Sequence, residues 1–265
     1  MRSAVRVVFP VLLALSLNPP SVSAQSLTPC VRSMTFSMDS EVFLGGRGVA
    51  RTAYTATIKH TFERNLADGN SIHWTSESTQ ARDESGRTFQ MRIQGCDFGQ
   101  DGQPQLRTMV IVSDPAAKTF TQWNTGPGTQ ALAMVVHQHA PSQPDWKDIP
   151  RTPTVPYRPE TTREDLGTRT IAGMQATGSR VTEFIPAGRE GNDSPMKIVR
   201  ESWTDKQNHM MLMIVQDDPR NGHSTWEVES FTIGAPDPAL FAPPANYKVW
   251  DQDAQQAQTT TGTKP

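Results

Sequence analysis

Alternation of apolar and polar residues is the feature of this 265-residue sequence that most restricts its fold. Arg51–His60, "RTAYTATIKH", alternates and is rich in Thr, Tyr and Ile. A period of two is typical of half-buried β-strands rather than helices. Turn signals such as Ala67-Asp68-Gly69 interrupt the pattern at short intervals, as in an antiparallel meander. Further strands predicted in this half are Ser71–Gln80, Arg87–Gln94, Arg107–Ser113 and Thr119–Asn124.

The second half of the chain has the same pattern. Met196–Thr204 alternates strongly, and His209–Gln216, "HMMLMIVQ", is short and nearly all apolar, which indicates a buried strand. Ala131–Gln138 fits either a buried strand or the start of a helix. The other strands predicted here are Thr168–Gly173, Gln175–Pro186 and Ser224–Ile233. The fold class that follows is mainly β, with one antiparallel sheet.

Three glycines punctuate "EDLGTRTIAGMQATGSRVTEF", which runs from Glu164 to Phe184. Such a stretch could be a glycine loop that cradles a ligand or a tight β-hairpin. A phosphate-binding glycine loop leads into a helix N-terminus, whereas the residues after Gly178 are strand-like. We therefore predict a hairpin that reverses at Gly173. Small residues at Ala176 and Gly178 would let another element lie close against the strand.

Six prolines fall between Pro141 and Pro159, a density that forbids a helix or a central strand. We interpret residues 141–163 as an extended surface excursion from a single curved domain of residues 25–250. The alternative is a flexible linker between two independent domains. Residues 251–265 are rich in Gln and Thr without apolar periodicity, and are predicted to be disordered.

The first 24 residues have the composition of a secretory signal. Arg2 and Arg6 precede an apolar run from Val7 to Leu17, and Val22-Ser23-Ala24 supplies small residues for cleavage. A run of about 11 residues is too short to span a bilayer, which needs ~20. We therefore expect export to the periplasm or outside the cell, and no transmembrane span elsewhere.

The net charge argues against one class of partner, and the cysteine content permits one disulfide. The formal net charge of −2 becomes −4 once Arg2 and Arg6 are removed with the signal, so nucleic acid is not an expected partner. Cys30 and Cys96 are the only cysteines. Export permits them to form a disulfide, and the alternative is two free thiols.

Histidines and acidic loops are the candidate metal ligands. On a strand, His137 and His139 would share a face and could bind one ion. The alternative is a polar strand end that faces solvent before Pro141. Glu190, Asp193 and Asp217-Asp218 lie on two loops that could hold calcium if the loops meet, or could be solvated turns.

Methionines are the candidate ligand-binding residues. Met174, Met211 and Met213 could line an adaptable apolar groove or could only fill the core. The sequence contains no Gly-x-Ser-x-Gly, His-Glu-x-x-His or Cys-x-x-Cys motif, so no catalytic residue and no cofactor is predicted.

Several segments resemble a family of secreted bacterial proteins of unknown activity: "LADGN", "RDESGR", "EDLGTRTIAGMQATGSRVTEFIPAG", "ESW" and "PDPALFAPPANYKV". The strand-turn rhythm and the closing "PALFAPPANYKV" are more distantly similar to periplasmic lipoprotein-carrier (LolA-like) and RseB-like proteins. That resemblance implies a strongly curved antiparallel sheet, or half-barrel, with a few short helices. It also implies an apolar cavity for acyl chains.

Three functional hypotheses follow from these observations. The first is a non-enzymatic binding module for a lipid-like or other apolar ligand, held on the apolar face of a curved sheet. The second is an envelope structural or protein-interaction domain with no small ligand. The third is a metal-dependent or hydrolytic enzyme whose residues no motif reveals.

Overall fold

A computed structural model describes residues 52–138, 159–207 and 209–254, and these form one curved, open sheet of twelve strands. The signal region, Cys30, His139 and residues 139–158 and 255–265 lie outside the described residues. The strands are β1 Tyr54–Asn65, β2 Ser71–Arg82, β3 Thr88–Phe98, β4 Pro104–Asp114, β5 Thr119–Thr125, β6 Leu132–His137, β7 Glu160–Ile171, β8 Met174–Ile185, β9 Met196–Asp205, β10 Met211–Asp218, β11 Gly222–Ile233 and β12 Lys248–Asp251.

Two meanders meet side by side in this sheet, whose strand order is β12-β6-β5-β4-β3-β2-β1-β11-β10-β9-β8-β7. Each meander pairs strands that are neighbours in sequence. The exceptions are β1 with β11, which joins the two halves, and β12 with β6, the one parallel pair among the described residues. The predicted fold class, a curved and mainly antiparallel sheet, is confirmed.

Most strand predictions are confirmed, and the differences have physical reasons. The ambiguous segment Ala131–Gln138 is strand β6. Strand β7 begins at Glu160, eight residues before the predicted Thr168 and inside the range assigned to the excursion. Most of β7 is exposed, because it is the edge of the sheet. An edge strand that is exposed and charged has no apolar alternation for a sequence pattern to reveal.

The predicted hairpin at Gly173 is confirmed. Ile171 pairs with Met174, so the loop between β7 and β8 has two residues. Ala172 and Gly173 have φ angles of 47° and 78°, the left-handed values that a type I′ turn requires at both central positions. This turn matches the right-handed twist of the paired strands, which is why a short loop suffices here.

The absence of a side chain at Gly178 leaves room for the Trp203 indole. The two residues are direct partners between β8 and β9, and a Cβ on Gly178 would lie 2.7 Å from the Trp203 ring. The Arg169 guanidinium also lies over this ring, 4.1 Å from the ring centroid. The predicted role of small residues on β8 is therefore confirmed, and the element that lies close is a tryptophan from the neighbouring strand.

One hydrophobic core cluster belongs to the β1 and β7–β11 side of the sheet. Its central side chains include Ile58 on β1, Leu212 on β10 and Val228 on β11, all at most 1% exposed. A second cluster belongs to β2–β6 and is covered by a 3-10 helix, Pro238–Phe241. Asp237 caps this helix by accepting a hydrogen bond from the Ala239 backbone N–H at 2.9 Å.

His60 is the buried centre of an aromatic group beside the β1–β11 junction. It is 2% exposed, stacks on Trp226 with ring centroids 3.8 Å apart, and meets Trp74 edge-on at 4.9 Å. Burial lowers the pKa of His60 to about 4. The imidazole is therefore neutral at physiological pH and acts as an aromatic packing element.

No helix within residues 52–138, 159–207 and 209–254 combines the length and the apolar character needed to cross a membrane.

We predict that His60 makes the fold acid-sensitive. His60 takes up a proton near pH 6.5 in the unfolded chain but only near pH 4 in the folded chain. The free energy of unfolding therefore falls as the pH drops through this window. The loss amounts to at most ~3 kcal/mol, since each pKa unit corresponds to about 1.4 kcal/mol. Urea unfolding of wild type and His60→Phe at pH 7 and at pH 4.5 measures it. An equal loss of stability in both proteins would contradict the assignment.

We also predict that Gly178→Ala destabilises the sheet by about 1–3 kcal/mol, because the new methyl group meets the Trp203 ring. The measurement is urea unfolding. Adding Trp203→Leu should make the alanine nearly neutral, because the clashing ring is then absent. Thr177→Ala, on the exposed side of the same strand, is the matched control. A cost of Gly178→Ala that persists in the Trp203→Leu background would disprove the steric explanation.

Candidate functional site

The candidate site is a groove of about 770 Å³ where three parts of the second half of the chain meet. We call it the hairpin groove and define it by Ala172–Gln175, Asp205–Gln207 and Phe231–Ile233. The β7–β8 turn forms one wall, the turn between β9 and β10 forms the second, and the C-terminal end of β11 forms the third. Pockets of this size are ordinary for small ligands, whose sites span about 300–1,000 Å³.

Backbone hydrogen bonds fix the two turns relative to each other. The Lys206 N–H donates to the Gln175 carbonyl at 3.1 Å, which ties the β9–β10 turn to strand β8. Within that turn, the Asp205 N–H donates to the Met210 carbonyl at 2.8 Å, and the Gln207 N–H donates to the Asp205 carboxylate at 3.2 Å. The groove is therefore built from turns that backbone hydrogen bonds anchor to each other.

Apolar side chains supply the binding surface of the groove. Ile233, the last residue of β11, is 69% exposed. Beside it, Phe231 stacks on Tyr54 with ring centroids 5.2 Å apart. Met174 packs partly against the core cluster of this half. An apolar ligand in the groove would remove the Ile233 side chain from water.

The polar lining of the groove is concentrated on the β9–β10 turn. Asp205 is 3% exposed and accepts backbone hydrogen bonds, so it has a structural role in the turn. Lys206 is exposed and has no ion-pair partner among the described residues. The groove thus combines an apolar wall with one available positive charge.

The structure separates the three predicted ligand-binding methionines. Met174 lines the hairpin groove. Met211 and Met213 lie on β10, where both pack against the core cluster and Met213 also contacts Arg169. Of the three, Met174 lines the hairpin groove, whereas Met211 and Met213 do not. Their roles in binding stay predictions.

His137, one of the two predicted metal ligands, is engaged with a carboxylate. Its Nε2 lies 3.0 Å from the Asp251 carboxylate, so this contact fastens β12 to β6. The hydrogen bond that His137 donates to the Asp251 carboxylate raises the pKa of His137. The second ligand, His139, lies outside the described residues. No group of three or more metal-ligating side chains occurs in the part of the chain that the structure describes.

The two acidic loops do meet, and the Arg220 guanidinium contacts a carboxylate from each of them. Arg220 bonds to Asp218 at 2.7 Å and also contacts Glu190 on the other loop. Asp218 is 2% exposed, and the hydrogen bond from Arg220 lowers the pKa of its carboxyl. Arg220 therefore supplies the positive charge that these loops require, in place of the calcium ion considered from sequence.

Cys96 is buried on β3, at 2% exposure. Its predicted partner, Cys30, lies outside the described residues, so the disulfide stays a prediction.

Comparison with known proteins identifies distant structural neighbours. No family model matches the chain, and no curated protein matches it. The crystal structure of MucB has 12% identity and a TM-score of 0.32, with 77% of this chain and 62% of that chain covered. A MucB complex with MucA(peri) has 13% identity and a TM-score of 0.33, with 77% and 58% covered. The chain thus spans about three fifths of the length of MucB.

Another solved neighbour is a putative outer membrane lipoprotein-sorting protein domain from Vibrio parahaemolyticus. It has 12% identity and a TM-score of 0.21, with 71% of this chain and 89% of that chain covered. The sequence-based resemblance to lipoprotein-carrier and RseB-like proteins points to this same group of structures. At these TM-scores the likeness carries no inference about ligand or partner, so the function must be argued from the residues of this chain.

Sequence reasoning missed Ile233, Phe231 and Lys206 as groove residues. Residues two apart on a strand share a face, so the predicted strand Ser224–Ile233 contained a signal that Phe231 and Ile233 lie together. Their proximity to Met174 depends on the strand order of the sheet, in which β9 and β10 lie between β8 and β11. Lys206 lies in a polar turn without any distinguishing pattern.

We predict that Asp251→Asn lowers the pKa of His137, because the substitution removes the carboxylate that favours the imidazolium. In wild type, this contact stabilises the β6–β12 pair at low pH and weakens as pH rises through the raised pKa of His137. NMR titration of the His137 ring measures the shift. Asp253→Asn, which removes a weaker and more distant charge, is the control. An unchanged His137 titration in Asp251→Asn would contradict the pairing.

Proposed function

We propose that this chain is an exported, non-enzymatic binding protein whose hairpin groove takes the apolar chain of a lipid-like molecule. The observation that carries the proposal is the exposure of Ile233, at 69%, in a 770 Å³ groove that Phe231 and Met174 also line. Burying an aliphatic side chain of this size contributes about 1.5–3 kcal/mol. A ligand that covers Ile233 therefore gains affinity by burying an apolar surface that the folded chain leaves exposed to solvent.

Lys206 favours a ligand with an acidic end. Among the described residues it is the one cation that lines the groove, and the neighbouring Asp205 carboxylate is buried in its turn. A carboxylate or phosphate on the ligand would lie near the ammonium group while the hydrocarbon lies along Ile233. Such a molecule is an anionic amphiphile, of which a fatty acid is the simplest.

The exported location rests on the sequence of residues 1–24, which have the charged, apolar and small-residue segments of a secretory signal. An exported protein encounters membrane lipids and their breakdown products. The location and the proposed ligand class are therefore consistent with each other.

A protein-interaction role is the second candidate, favoured by strand β7. This twelve-residue edge strand is largely exposed, and its outer side could pair with a strand from a partner. Its charged residues and the irregularity between Asp165 and Gly167 are, however, features that natural sheets use to discourage edge pairing. The groove therefore gives the stronger case.

Binding of palmitate tests the proposal. We expect wild type to bind palmitate and Ile233→Asp to bind at least about tenfold more weakly, because the substitution places a charge where the hydrocarbon lies. Ile72→Asp is the matched control, since Ile72 is also an exposed isoleucine, at 40%, but lies on β2 away from the groove. Isothermal titration calorimetry measures both.

The same titration tests whether the ligand carries an acidic group at the end near Lys206. Lys206→Gln should weaken the binding of palmitate but leave the binding of an alkyl alcohol of equal length unchanged. Absence of palmitate binding to wild type, or equal weakening by Ile233→Asp and Ile72→Asp, would overturn the groove proposal.

A further inference from the structure

Met174 is a half-buried methionine in the wall of the hairpin groove. It pairs with Ile171 across the β7–β8 turn, and part of its side chain packs against the core cluster of this half. Because the side chain also lines the groove, a small solute that enters the groove reaches it. Methionine is an apolar residue that mild oxidants convert into a polar one.

The three methionines of β10 and of the turn before it are in different environments. Met210 is 1% exposed. The sulfur of Met211 accepts a hydrogen bond from the Thr204 hydroxyl at 3.9 Å, and the sulfur of Met213 accepts one from the Arg169 guanidinium. These donors engage the sulfur lone pairs that an oxidant attacks. Met174 has no such donor within residues 52–138, 159–207 and 209–254.

Hydrogen peroxide is the oxidant that fits this site. It is little larger than water and uncharged, so neither the size of the groove nor the charge of Lys206 keeps it out. The sulfur lone pair forms a bond to one peroxide oxygen while the O–O bond breaks. The departing hydroxide takes the proton from the transferred oxygen and leaves as water. Sulfur is thereby oxidised by two electrons to the sulfoxide, and the peroxide is reduced.

A sulfoxide at Met174 changes the chemistry of the groove wall. The thioether is apolar, whereas the sulfoxide oxygen accepts hydrogen bonds and is hydrated in an open groove. A hydrocarbon chain that lies along Ile233 and Phe231 would displace this water without replacing its hydrogen bonds. A polar atom buried without a partner is costly. Oxidation therefore opposes the binding of an apolar chain.

The core beneath Met174 does not depend on the oxidation state of its sulfur. The core residues beside it, Ile171 and Ala176, are 4% and 0% exposed and carry no oxidisable group. The backbone pairing of Met174 with Ile171 also involves no sulfur. The change is therefore confined to the groove.

We propose that Met174 is an oxidation switch of the hairpin groove, which holds its apolar ligand with the thioether and releases it with the sulfoxide. This inference rests on the proposed function, because its output is the binding of an apolar chain. The switch is reversible, since sulfoxide reductases return the thioether while a dithiol is oxidised to a disulfide and the oxygen leaves as water.

Peroxide treatment of the mature chain tests the switch. Peptide mass spectrometry follows the gain of one oxygen at each methionine, and we expect Met174 to be oxidised before Met210, Met211 and Met213. Isothermal titration calorimetry should show that the oxidised protein binds palmitate at least about tenfold more weakly. Methionine sulfoxide reductases of both stereospecificities, with dithiothreitol, should restore the affinity. Bound palmitate should slow the oxidation of Met174.

Met174→Leu removes the sulfur and keeps an apolar side chain. Whatever its own affinity for palmitate, this variant should have the same affinity before and after peroxide, within about twofold. Met196→Leu is the matched control, because Met196 is also half-buried, at the start of β9, but lies outside the groove. It should lose affinity on oxidation as wild type does. If circular dichroism shows that Met174→Leu does not fold, the loss of affinity in wild type must instead follow the fraction of Met174 sulfoxide.

The outcomes separate the switch from the groove proposal. Wild type that binds palmitate equally well before and after Met174 is oxidised would overturn the switch and leave the groove proposal intact. Oxidation of Met174 no faster than that of Met210 would also overturn it, as would an equal effect of peroxide on wild type and Met174→Leu. Absence of palmitate binding to untreated wild type contradicts the proposed function itself, and the switch with it.

Discussion

Pairing of β1 with β11 is the interaction on which the rest of the structure depends. It joins a strand near the start of the described chain to one near its end, and thereby makes one sheet from two meanders. Its register sets Ile58 opposite Val228 and His60 opposite Trp226, so the centre of one core cluster lies along this seam. A bulge between Thr57 and Ile58 keeps these buried residues facing each other. Without this pair, each meander would have another long exposed edge.

Local patterns predicted the elements of the fold far better than the contacts between them. Alternation and turn dipeptides identified strands in both halves, and Gly173 identified the hairpin, because both signals act over a few residues. The start of β7 at Glu160 was missed because an exposed edge strand has no apolar face. The β1–β11 register could not be read from the sequence, since many pairings of alternating strands bury equivalent faces.

The candidate site was predictable only in part, for the same reason. Met174 was identified from its residue type, but Ile233 and Lys206 belong to separate strands and turns that only the folded sheet brings together. The acidic loops show the limit of reasoning from residue type alone. Their carboxylates do converge, yet Arg220, which lies in the same turn sequence, satisfies them.

The two halves of the sheet have separate hydrophobic cores and a short connection. Strands β2 and β3 pair over only four residue positions, Thr79–Arg82 with Thr88–Met91, so a narrow ladder connects strands β3–β6 to β2. Each half also has its own core cluster. Changes at distant sites without shared partners act additively. Substitutions within one core cluster are therefore expected to add to substitutions within the other.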